Sequence, residues 1–118
     1  MDRLGIAGAL WLVAAAFAIA ITIIFRIDPV QWAVTFAFGV VAAVVGMLLI
    51  ARPSALVLSA SNVLAVAWIL LHAVLTVQQS DELAAWITDV ALLVSGAVAG
   101  LVAYRAARSA TVTADGSA

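Results

Sequence analysis

The sequence predicts an all-α integral membrane protein: a bundle of four transmembrane helices, arranged as two antiparallel hairpins, with both termini cytoplasmic. Three observations carry that prediction. Of the 118 residues, 68% are hydrophobic and 9% are charged, whereas soluble domains run near half apolar and about a quarter charged. The few charges are not scattered; they cut the chain into four apolar runs. Within those runs polarity does not alternate, as it does in a lipid-spanning strand with a polar lumen face. The stretch Ala14-Ala15-Ala16-Phe17-Ala18 is apolar on every side.

Each helix follows from the charges that bound it. Arg3 precedes the first run, residues 4–25, which Arg26, Asp28 and Pro29 close. This run is too long for a cleaved leader. Ala16-Phe17-Ala18 resembles a cleavage site, but a leader's apolar core covers only about 7–15 residues. The second run, residues 30–51, stops at Arg52-Pro53-Ser54. The third, residues 55–77, ends in the polar string Gln78-Gln79-Ser80-Asp81-Glu82. The fourth, residues 83–104, is closed by Arg105 and Arg108. A helix rising about 1.5 Å per residue needs about 20 apolar residues to cross a hydrocarbon core of roughly 30 Å. All four runs meet that length. The small, polar residues 109–118 lack any apolar period and read as a disordered cytoplasmic tail behind a 1–108 membrane domain.

Four spans put Arg3, Arg52, Arg105 and Arg108 on one side, and Arg26 with Asp81 and Glu82 on the other. Arginine-rich ends stay in the cytoplasm. Trp32 and Trp86 then stand at the outer boundary and Tyr104 at the inner one, as an aromatic belt requires. Five arginines without a lysine, beside 28 alanines, suggest a GC-rich coding sequence and hence a bacterial inner membrane.

The chemistry open to the chain is narrow. Without cysteine there is no disulfide, thiolate metal site or catalytic thiol. A net charge of −1 supplies no polybasic patch for nucleic acid. One histidine does not make a metal cluster, and no phosphate loop or nucleophile elbow appears. No metal, cofactor or enzymatic activity is expected.

Helices in lipid associate through close packing, so small residues mark contact faces. At about 100° per residue, one stripe of the second helix holds Asp28, Trp32, Thr35, Gly39, Ala43 and Gly46. A stripe of the fourth holds Glu82, Ala85, Asp89, Gly96, Gly100 and Ala103. The first helix offers Gly5, Ala9, Ala16 and Ala20; the third offers Ser61, Ala65, Trp68, His72 and Thr76. Gly39, Gly46, Gly96 and Gly100 are the expected packing glycines. Asn62 and Trp68 are candidates for polar packing or for lining a pore.

His72 and Asp89 stand equally far from the turn at Ser80-Asp81, so an antiparallel hairpin is expected to pair them at one depth. An unpaired aspartate at mid-helix costs roughly 2.5–3.5 kcal/mol on insertion scales, and histidine can donate to a carboxylate in either protonation state. The expected function is that of an accessory or scaffold subunit of a larger membrane complex. Its partners are membrane lipid and other membrane subunits or copies of itself. The alternative is a homo-oligomeric proton- or cation-coupled small transporter or channel using Asp89 and His72.

Overall fold

The structure, a computed structural model, describes residues 3–24 and 28–117, with side chains as far as 108. It is all-helical: α1 Arg3–Ile24, α2 Pro29–Ala51, α3 Ala55–Gln78 and α4 Leu83–Ser117. All four are long and apolar enough to cross a membrane. Arg26, and the side chains of the tail expected to be disordered, lie outside the described residues.

Local chemistry sets the ends. The Asp28 carboxylate accepts from the backbone N–H groups of Val30 and Gln31, at 3.0 and 3.3 Å. Pro29 occupies the first turn, where its missing N–H costs nothing. Ser54 caps α3 by accepting from Val57 N at 3.2 Å. Between α2 and α3, Arg52 N closes the last turn on Leu48 O at 2.8 Å, and Pro53 prevents continuation. The α3–α4 turn is held by Gln79 N to Leu75 O and Glu82 N to Gln79 O, at 2.9 and 3.1 Å.

Around the bundle the order is α2–α1–α4–α3: α1 packs on both α2 and α4, α4 on α3, while α2 and α3 meet only narrowly. Glycine explains how closely α1 and α2 approach. A methyl group on Gly8 would lie 2.5 Å from the Gly46 carbonyl oxygen, and one on Gly46 would lie 2.7 Å from that of Gly8. Backbone thus touches backbone there. The middle of the bundle is large against small. Trp11 and Trp68 are fully buried and meet edge to face, with ring centres 5.7 Å apart. Phe38 closes on Trp68 from α2 at 6.2 Å. Gly96, Ala99 and Gly100 of α4 leave the room these rings need.

The expected contact faces need two corrections. On α1 Gly5 is buried as expected, but the buried stripe continues through Gly8, Trp11, Ala15, Ala18 and Thr22; Ala9 and Ala20 are only partly buried and Ala16 is exposed. Because α1 touches two helices, tryptophan as well as alanine faces inward. On α2, Trp32 is exposed and Ala42, Val45 and Leu49 are buried instead. The Trp32 indole N–H nevertheless donates to Thr22 O of α1 at 3.0 Å.

Candidate functional site

The interior polar groups form a chain that begins among the central tryptophans. Trp11 Nε1 donates to Ser61 Oγ at 2.9 Å, tying α1 to α3. Trp68 Nε1 donates to Leu92 O at 2.7 Å, tying α3 to α4, and Ser95 Oγ donates to the same carbonyl at 2.9 Å. A buried indole N–H needs an acceptor, and both find one across a helix interface. Trp68 therefore packs in the core, one of the two roles expected of it.

Next along α3 is His72, fully buried, its ring centre 4.9 Å from that of Trp68. Its Nδ1 lies 2.9 Å from Trp68 O. A carbonyl only accepts, so Nδ1 carries the hydrogen. Thr76 Oγ1 donates to His72 O at 2.6 Å, one turn further along. Asp89, 4% exposed, faces the interior from α4. His72 Nε2 and Asp89 Oδ2 are both buried with no hydrogen-bond partner among the described residues.

Both residues are interior, but the direct pair expected from the sequence is not formed; no hydrogen bond or ion pair joins them among the described residues. The register explains why. Gly100 faces Ala65 and Gly96 faces Trp68. That stagger carries His72 to the level of Leu92 and Leu93, and Asp89 to the level of Leu75 and Thr76, about one helical turn apart. Counting outward from the turn misses this offset, because the indole seated on Gly96 sets the slide of the hairpin.

Asn62 goes elsewhere. It is exposed on the outer face of α3, so it neither packs within the bundle nor lines its interior. Exposed Ser59 is its neighbour one turn away. Ser59, but not Asn62, lines an apolar groove of about 590 Å³ where the narrow α2/α3 seam opens, with Ala37, Val41, Ala60, Val63 and Ala67 among its other walls. At its other end the seam is clasped, Gln79 Nε2 donating to Gln31 Oε1 at 3.2 Å. Sequence reasoning missed both this seam and the Trp11–Ser61 tie. Among the described residues no group of histidines and carboxylates is arranged to hold a metal ion.

Comparison with family models, curated proteins and solved structures finds no match to this chain.

Proposed function

We propose that the chain is an accessory or scaffold subunit of a larger complex, a multi-pass protein of a bacterial inner membrane with both termini cytoplasmic. It acts by packing the outer face of α3, from Asn62 round to the α2/α3 groove, against transmembrane helices of other subunits. The observation that carries this reading is Asn62. It stands about 10 Å inside the α3 span, counting from Ala55, and is exposed on the outer face of α3, one turn from Ser59, which lines the apolar α2/α3 groove together with Ala37, Ala60 and Ala67. An amide in hydrocarbon needs a partner, and interhelical hydrogen bonds in membranes contribute about 0.6 kcal/mol on average and up to about 2. Small residues alongside allow the close backbone approach that such a bond needs.

A photoreactive amino acid at Val63, in the groove, tests the reading against the same probe at exposed Val13 of α1. Crosslinks from position 63 to other membrane polypeptides, with only lipid adducts from position 13, support it. Lipid adducts alone at both positions contradict it.

A second reading is favoured by a different observation, the two partnerless buried atoms His72 Nε2 and Asp89 Oδ2. Buried polar groups are nearly always satisfied, and exceptions point to strain or chemistry. A proton- or cation-coupled transporter assembled from copies of this chain would use such groups as its binding point. Pure homo-oligomers showing pH-driven flux in vesicles would favour this reading over the first.

A further inference from the structure

We propose that the cleft between Arg3 of α1 and Tyr104, Arg105 and Arg108 of α4 binds the phosphate of an anionic phospholipid. The two ends of the membrane domain, almost the whole chain apart, come together here because α1 packs on α4. Their arginines converge around an open cleft of about 480 Å³, whose remaining lining is Leu101 and Tyr104. Three guanidinium groups stand at one place. Guanidinium groups bind phosphate oxygens in a bidentate fork.

The vertical order of the cleft selects a lipid over a free anion. Leu101 lies one turn deeper along α4 than Arg105 and is half exposed, with 50% of its surface accessible. A phosphate held by the arginines therefore has an apolar wall directly below it, where acyl chains run. Arg108 also sits over the Tyr104 ring, 5.8 Å from its centre. That contact aims the guanidinium along the cleft. Basic pockets between helices at a membrane boundary are suited to phosphate headgroups.

The test uses the full chain in mild detergent, with native mass spectrometry to measure retained lipid. Phosphatidylglycerol and phosphatidylcholine are offered in equal amounts, and inorganic phosphate is offered alone in a separate arm. Phosphatidylglycerol should be retained preferentially. Arg105→Gln and Arg108→Gln should each lower that preference about fivefold, and the double variant more than tenfold. Arg52→Gln, at the same end but outside the cleft, should leave it unchanged. Both cleft arginines are exposed, and unchanged helical circular dichroism would show that the variants fold. Equal retention of the two lipids, or a preference unaltered in the double variant, overturns the proposal. So does phosphate binding as tight as that of phosphatidylglycerol, because the site would then belong to a free anion.

Discussion

Replacing Gly96 by alanine puts a methyl group where the indole of Trp68 already lies, against its Cδ1 and Nε1 and 2.7 Å from its Cγ. The indole has little freedom to yield. It is fully buried, its Nε1 is bonded to Leu92 O at 2.7 Å, and Trp11, Phe38 and His72 surround it. Overpacking of this kind costs about 1–3 kcal/mol, and losing the Nε1 bond adds about 0.5–1.5. Alanine's better helix propensity returns about 1 kcal/mol. The net expectation is a loss of about 1–3 kcal/mol, read from unfolding in mixed detergent followed by helical circular dichroism. A Trp68→Leu background supplies the control, because a flexible aliphatic chain can give way. There Gly96→Ala should cost less than about 1 kcal/mol, so the two changes couple by an amount usual for residues in contact. Wild-type stability of Gly96→Ala, or strict additivity in the double variant, would refute the seating of Trp68 on α4.

The other substitutions follow from the same contacts. Gly8→Ala and Gly46→Ala each drive a methyl against a backbone carbonyl and must part α1 from α2. Gly39→Ala meets Ile19 Cγ1 at 2.9 Å, a side chain that can turn, so in the same unfolding assay it should cost clearly less than either. Ser61→Ala leaves the Trp11 N–H buried without its acceptor and should lose about 1–3 kcal/mol. Asp89→Asn keeps an acceptor while removing the titratable group. Under the accessory reading, complexes extracted from membranes carrying this variant keep wild-type composition; normal composition with lost pH-driven flux would favour transport instead.

Charge placement made the helices legible. Arg3, Asp28-Pro29, Arg52-Pro53 and the Gln78–Glu82 string interrupt apolar runs, and the observed ends fall within a residue or so of those marks, except where α4 runs on past Arg105. Faces were harder to read, because amphipathicity is weak when the solvent on one side is lipid and the core on the other is equally apolar. In an alanine-rich chain a stripe such as Ala9, Ala16 and Ala20 looks as small as the true one. What turned α1 was Trp11, a large side chain that the small residues of α4 accommodate. Only contact could reveal that match. The slide between α3 and α4 was hidden for the same reason: it depends on where the Trp68 ring lands, not on turn length. Asn62 was visible as polar, but its outward direction depends on which helix stands beside α3. The ring order left nothing there.

The central claim is that this chain holds other membrane subunits through the outer face of α3, and intact-complex mass spectrometry after extraction in mild detergent tests it most directly. The account predicts a complex containing other transmembrane polypeptides at fixed stoichiometry. Asn62→Leu should weaken that complex while leaving the stability of the bundle itself within about 0.5 kcal/mol, as for surface positions generally. A chain that emerges only as a monomer or a pure homo-oligomer, or a complex indifferent to Asn62→Leu, would contradict it.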